Sequence, residues 1–231
     1  GRSILSINLR IFTIREKVAS GVLSIGIPAA LGSLMMSISQ IVMNSQMARY
    51  GDMALAGAGV AMKVTMMTGM VCIGLGQGIQ PLLGYCVGAK KWNRHKKVLR
   101  FSLIFAFILS TLLTGVCYLF TDEIVHVFLT DENAFAYGVS FSRILLSTSF
   151  LFGVFYVITN ALQACGAAKE SLIVNISRQG LIYIPCMFIL AAFFQETGLI
   201  WAQPVADILS LVLAVTLYIK KSKQMGKGLS L

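Results

Sequence analysis

The sequence predicts an all-α membrane protein, a bundle of six transmembrane helices. Three observations carry that reading: charges are scarce, long stretches have no charge at all, and the basic residues gather in alternate connecting segments. Of 231 residues, 57% are hydrophobic and 12% charged, whereas a soluble domain carries roughly a quarter charged residues. Half that level leaves too little charge to coat a water-facing surface, so apolar surface must face lipid.

A helix needs about 20 apolar residues to cross the bilayer core. No charge occurs from Val18 to Ala48, from Val64 to Ala89, from Phe101 to Thr121 or from Ile144 to Ala168. The stretch from Ser171 to Gln195 holds only Arg178, and that from Thr197 to Ile219 only Asp207. These give spans at 18–48, 53–88, 98–120, 133–165, 171–194 and 198–219. Closed barrels are excluded, because their strands alternate polar and apolar residues over about 10 positions.

The connections predict the orientation. Arg2, Arg10, Arg15 and Lys17 precede span one, and six basic residues from Lys90 to Arg100 separate spans two and three. Lys169 joins four to five, and Lys220, Lys221, Lys223 and Lys227 follow six. The opposite connections, RYGD, TDE and QETG, are neutral or acidic. The positive-inside rule puts the basic side in the cytoplasm, with both ends there, in an inner or plasma membrane. Residues 1–17 read as a basic interfacial linker or a disordered end, and 220–231 as a cytoplasmic tail. Residues 122–131 (DEIVHVFLTD) are too short to span and suit a small helix at the outer interface. His126 there reads as an interfacial side chain, and His95, in the basic loop, as solvated.

The net charge of +10 does not point to nucleic acid, since the basic residues sit beside apolar spans rather than on a phosphate-tracking patch. The five cysteines, Cys72, Cys86, Cys117, Cys165 and Cys186, form no CxxC pair, so no metal or redox site is expected.

Span two ends in Gly74-Leu-Gly-Gln-Gly-Ile-Gln-Pro-Leu-Leu-Gly-Tyr-Cys-Val-Gly-Ala89. A phosphate cradle needs a strand before such a run and a helix opening after it. Here the run lies within an apolar span, and the physical expectation is close helix packing. Gly74/Gly78 and Gly84/Gly88 are spaced to let backbones approach, with a bend at Pro81.

That run, followed by a basic loop, resembles the multidrug and toxic compound extrusion (MATE) family. Further motifs extend the resemblance from Gly26 to Tyr218: Gly26-Ile-Pro-Ala, Met43-Asn44, Tyr50-Gly51, Ala161-Leu-Gln-Ala-Cys-Gly-Ala-Ala, Tyr183-Ile-Pro185 and Gln203-Pro-Val-Ala-Asp207. The pattern is most similar to the MepA-like and DinF-like bacterial branches. The resemblance implies a twelve-helix transporter of two six-helix lobes related by an axis along the membrane normal. It implies a central cleft for lipophilic, often cationic compounds, and rocking of the lobes driven by sodium or proton entry. This chain would be the second lobe, its partner the missing N-terminal one, and residues 1–17 the end of the connection between them.

Several spans carry polar stripes. Ser33, Ser37, Gln40 and Asn44 share one face of span one, with Met36, Met43 and Met47 beside it. Met66, Met70, Gln77 and Gln80 share a face of span two, and Ser149, Tyr156, Asn160 and Gln163 one of span four. Two readings stand. The stripes line a substrate cleft, with Gln40, Met43, Asn44, Met66, Met70, Gln77, Tyr156 and Asn160 as candidates, because methionine adapts to many shapes. Alternatively they are interhelical glue.

Lys63, Arg143 and Asp207 each lie roughly 14–16 Å along their spans from the outer end, at about 1.5 Å per residue. Isolated charges at that depth are costly, so Asp207 is expected to pair with Arg143 or Lys63, or else the three are wet on protruding helices. Arg178 is expected to snorkel to the cytoplasm. The NorM-like branch carries carboxylates in the helices matching spans one and four, and this sequence has none there. The resemblance to the DinF-like branch therefore implies that the coupling acid for Na+ or H+ belongs to the missing lobe. No other cofactor is expected.

Three other functions were weighed. A flippase for a lipid-linked sugar favours a strongly cationic cleft. An intramembrane enzyme needs a buried nucleophile, carboxylate pair or metal set, and neither histidine lies in a span. A membrane scaffold subunit needs no polar stripes. A lone half would have to dimerise to rebuild an interface between repeats.

Overall fold

The computed structural model describes residues 18–227, with side chains described for 30–222 apart from Leu31 and Ala168. The predicted linker 1–17 and the last four tail residues lie outside the described residues, as do the side chains of Gly26-Ile-Pro-Ala29. Among the described residues the chain is helical with short connections and no strand.

Helix α1 (Val18–Met47) ends in a 3-10 turn, Ala48–Tyr50, and the chain reverses at Gly51. That residue has φ 110°, where glycine alone carries no side-chain penalty. Helix α2 (Asp52–Gly88) then runs without a break through Pro81. The proline removes the N–H that would reach the Gln77 carbonyl, yet the helix continues for two more turns. Helix α3 (Trp92–Leu119) returns, and α4 (Thr121–Phe128) is the short helix expected between spans three and four. Asp131 caps α5 (Glu132–Ser149), its carboxylate accepting from the backbone N–H of Asn133 at 2.9 Å and Ala134 at 3.1 Å.

Span four is not one helix. It bends by 48° between α5 and α6 (Phe152–Ala164), with no proline at the break and one glycine, Gly153, just beyond it. The cause is a neighbour. Ser110 Oγ of α3 donates to the Phe150 carbonyl at 2.6 Å, drawing that group out of the helical ladder. Span five is also interrupted. Helix α7 (Ala168–Ile176) passes into a π turn, Ser177–Leu181, in which Ile182 N–H reaches back to the Ser177 carbonyl.

Helix α8 (Tyr183–Lys227) is continuous only nominally. Gln195 has φ 54° and ψ −133°, outside helical space, and the chain doubles back there. Leu190 lies against Gly198, Arg178 against Asp207 and Lys221 near Glu170. These pairs step apart in register, as two antiparallel helices require. The arms 183–194 and 196–227 complete spans five and six, the second running past the expected limit at 219. Six spans are thus formed by α1, α2, α3, α5–α6, α7 with the first arm of α8, and the second arm. Helices α2 and α3, the bent α5–α6 pair and the 169–222 segment are each long and apolar enough to cross a membrane.

Packing centres on α2, which lies mainly against α5 and α6. The glycines that permit this are not the expected ones. Gly74, Gly78, Gly84 and Gly88 have open space where a Cβ would stand, because the face of α2 that carries them is turned away from the other helices of the lobe. The close approaches use isolated glycines instead. A Cβ on Gly57 would meet Tyr137 Cβ at 2.7 Å and Gly138 N at 2.8 Å, and one on Gly76 would meet Asn160 Nδ2 at 2.7 Å. Gly153 lies against the Ala106 carbonyl.

His95 is a further correction. It is buried, not solvated, with its ring edge-on to Trp92 and Nε2 3.8 Å from Cys165 Sγ. The turn at Ala89–Lys91 starts α3 early and directs this side chain inward, while its basic neighbours face out. His126 is exposed and packs edge-on to Phe135.

Candidate functional site

The charged residues are distributed differently from the expectation. Asp207 pairs with neither Lys63 nor Arg143. Arg178 Nε donates to Asp207 Oδ1 at 2.6 Å, and both side chains are buried, 7% and 4% exposed. Arg178 therefore does not snorkel. Its partner is fixed by the hairpin at Gln195, which lays the π turn against the second arm of α8. Gln203 Nε2 donates to the same carboxylate oxygen at 3.0 Å, and Arg178 Nη1 donates to Tyr156 Oη at 3.1 Å. The guanidinium also lies 4.8 Å from the ring centres of Phe152 and Phe155 and 5.6 Å from that of Tyr156. One ion pair thus ties the π turn, α6 and the second arm of α8 together.

Lys63 and Arg143 are exposed on the lobe surface rather than buried. Lys63 stands 5.4 Å over the Phe128 ring. Arg143 bonds Asp122 of α4 at 3.2 Å, with about half of each side chain exposed, and lies over Tyr118. Helix α4 lies beside both residues, so they belong to the end of the bundle rather than to its middle.

A cavity of about 290 Å³ opens between α1, α2, α6 and the hairpin. Of the expected cleft residues, Gln40, Met43, Met66, Met70 and Tyr156 line it. Met43 does so with its side chain almost wholly in the core, beside Met47. Met36, Met62 and Thr65 also contribute, and the hairpin adds Arg178, Tyr183 and Gln203. Gln40 joins two of the walls, donating to Asn44 Oδ1 and to Met62 Sδ, each at 3.1 Å. Asn44 touches the cavity only through that bond.

A second pocket adjoins the first, sharing Ile73 and Tyr156 with it. Amides dominate its wall: Gln77, Gln80, Asn160, Gln163 and Asn175. Several are committed to one another. Gln80 Nε2 donates to Gln163 Oε1 at 3.2 Å, and Gln163 Nε2 donates to Ser171 Oγ at 2.9 Å. Asn160 Nδ2 donates to the Tyr156 carbonyl at 2.8 Å. The polar stripes are divided between cavity wall and hydrogen bonding. Gln40 of α1 bonds across to Met62 of α2 and Gln80 of α2 to Gln163 of α6, while Asn160 bonds within its own helix.

The sequence pattern missed the contribution of the hairpin. Arg178 and Gln179 lie in the π turn itself, and Gln203 is brought beside them by the reversal at Gln195, so that with Tyr183 they reach the first cavity. The one available signal was the presence of two lone, opposite charges in consecutive apolar spans. Among the described residues no cluster of three or more metal-ligating side chains occurs.

Comparison with known proteins agrees with this architecture. The "Multidrug export protein MepA" of Staphylococcus aureus (strain NCTC 8325 / PS 47) is 28% identical over 212 residues, covering 92% of this chain and 47% of that protein. Its namesake in Staphylococcus haemolyticus (strain JCSC1435) is 26% identical over 211 residues, covering 91% and 46%. The chain spans about half the length of these relatives. Among solved structures, a MATE in complex with MaL6 aligns with TM-score 0.86 at 19% identity, covering 96% of this chain and 51% of that one. The Vibrio cholerae MATE transporter VcmN in its bent form aligns with TM-score 0.82 at 18% identity, covering 95% and 49%. Each likeness covers most of this chain and about half of the longer protein. The MatE family model matches residues 28–189, most of the chain, from within α1 to the first arm of α8, and the chain belongs to that family.

Proposed function

We propose that this chain is the second, C-terminal lobe of an efflux transporter that exports lipophilic compounds across the cell membrane by exchange with a cation. The observation that carries the reading is the cavity walled by Met36, Met43, Met62, Met66 and Met70 with Gln40 and Tyr156. Flexible thioethers surround a ligand body without fixing its shape, and a few polar groups orient it. The likeness to export proteins of twice this length supports a partner lobe that closes the cleft. In this reading both ends of the lobe lie in the cytoplasm and the chain comprises a basic linker, the six-span lobe and a short tail. The coupling ion, Na+ or H+, is held by the N-terminal lobe.

The test is dye export by the complete protein in inverted membrane vesicles, with sodium and proton gradients collapsed in turn. Export is expected to stop when one gradient is removed, and to fall when Met70→Trp fills the cavity. Export that survives both collapses refutes the antiport reading. Export indifferent to Met70→Trp refutes the assignment of the cavity.

A further inference from the structure

The charge facing the cavity has the opposite sign to that required by a cationic ligand. Arg178 is the charged residue of its wall, and among the described residues no carboxylate lines it. Asp207 stands behind Arg178, so the pair presents a dipole with its positive end toward the cavity.

Of the wall's three aromatic rings two are already used, and the third, Tyr183, is only 4% exposed. A ligand cation in a carboxylate-free site is held by ring faces. Phe152 and Tyr156, the wall's phenyl and phenol nearest Arg178, already have its guanidinium over them, at 4.8 and 5.6 Å. A second cation there would meet a like charge in a low-dielectric setting.

Donors, by contrast, are in surplus. A guanidinium has five N–H groups. Arg178 uses Nε on Asp207 and Nη1 on Tyr156, and its remaining N–H groups have no protein acceptor among the described residues. Because Tyr156 accepts from Arg178, its own hydroxyl proton is left to donate. The buried unpaired atom of this ion pair among the described residues is Asp207 Oδ2, whereas the spare Arg178 N–H groups belong to a residue of the cavity wall, where a ligand oxygen can accept them.

We infer that this cavity takes an amphipathic anion, with the apolar body against the methionines and a carboxylate-class head on Arg178 and the Tyr156 hydroxyl. The inference rests on the reading of the cavity as a ligand site and gives that site a charge preference.

Two dyes on one xanthene scaffold test it, fluorescein as the anion and a rhodamine methyl ester as the cation. Binding to the complete protein in an uncharged detergent is followed by fluorescence anisotropy at fixed salt. The anion is expected to bind about tenfold or more tighter than the cation, as a charge-assisted hydrogen bond implies. Arg178→Gln with Asp207→Asn keeps the site neutral and hydrogen-bonded, and is expected to erase the preference while both dyes still bind. Met70→Trp is expected to weaken both dyes. Equal or tighter binding of the cation, a preference that survives the double substitution, or no binding of either dye overturns the inference. If Met70→Trp leaves both dyes unaffected, the cavity is not the ligand site and the functional reading of it falls too. If Met70→Trp weakens both dyes equally bound by the native protein, only the charge preference falls.

Discussion

Arg178 and Asp207, on antiparallel arms of one helical hairpin, meet at 2.6 Å with both side chains buried. Removing one partner leaves the other charged and buried. Asp207→Asn or Arg178→Gln alone is therefore expected to cost about 3–5 kcal/mol. The double substitution is expected to cost much less than the sum. Thermal unfolding of the four proteins in one detergent measures this, and additive losses exclude coupling between the pair. Exchanging charges between Asp207 and Arg143 is expected to rescue nothing, since the two side chains are not partners.

The surface pair offers a contrast. Arg143 and Asp122 bond at 3.2 Å with about half of each side chain exposed. Exposed pairs contribute roughly 0–1 kcal/mol. A double-mutant cycle with Arg143→Gln and Asp122→Asn is expected to give a coupling within that range, and a coupling of several kcal/mol contradicts the exposed geometry.

Glycine substitutions separate contact from composition. Gly153→Ala drives a methyl group into the Ala106 carbonyl and is expected to destabilise by about 1–3 kcal/mol or more. Gly78 has open space at the same position, so Gly78→Ala is expected to leave the lobe folded and to favour the helix by roughly 0.5–1 kcal/mol. Stability in detergent, compared for the two variants, checks the ordering.

Ser210 carries a buried hydroxyl with no hydrogen-bond partner among the described residues. Its removal frees a desolvated polar group at little packing cost. Ser210→Ala is expected to be neutral or stabilising by about 1 kcal/mol. A loss above that size points to a bound water or ion at the hydroxyl.

The orientation is open to labelling. Asn93→Cys, exposed in the basic first turn of α3, is expected to react with an impermeant maleimide only in inverted vesicles. Thr130→Cys, between α4 and α5, is expected to react only in intact cells. These substitutions are made in a background with the native cysteines replaced, and the opposite pattern reverses the assigned sides.

Much of the bundle was legible because lipid imposes a simple rule: a span must be long and nearly free of charge. That rule picked out the long apolar helices and set apart the segment 122–131, too short to span, which overlaps the short helix at 121–128. It is blind to how helices rotate about their own axes. The Gly74–Gly88 run looked like a packing seam by spacing alone, but spacing does not say which face a neighbour occupies, and the contacts fell to Gly57, Gly76 and Gly153. The bend at Phe150 was hidden because its cause, the Ser110 hydroxyl, lies 40 residues away in the chain. Depths counted from hydropathy limits mispaired Asp207. The register set by the turn at Gln195, with the extra residue of the π turn, aligns Arg178 with it instead. In the candidate site, Gln40, Met66, Met70 and Tyr156 could be named from periodicity, whereas Arg178 and Gln203 needed the hairpin.

The order of these two charges along the chain bears on how the lobe is made. Arg178 leaves the ribosome 29 residues ahead of Asp207, and a lone arginine within a span is disfavoured by up to about 2.5–3.5 kcal/mol on insertion scales. The nascent segment carrying it gains its counterion only when the last span has emerged. The final two helices therefore enter the bilayer most favourably as a single unit, and a stop codon placed between them strands an uncompensated cation.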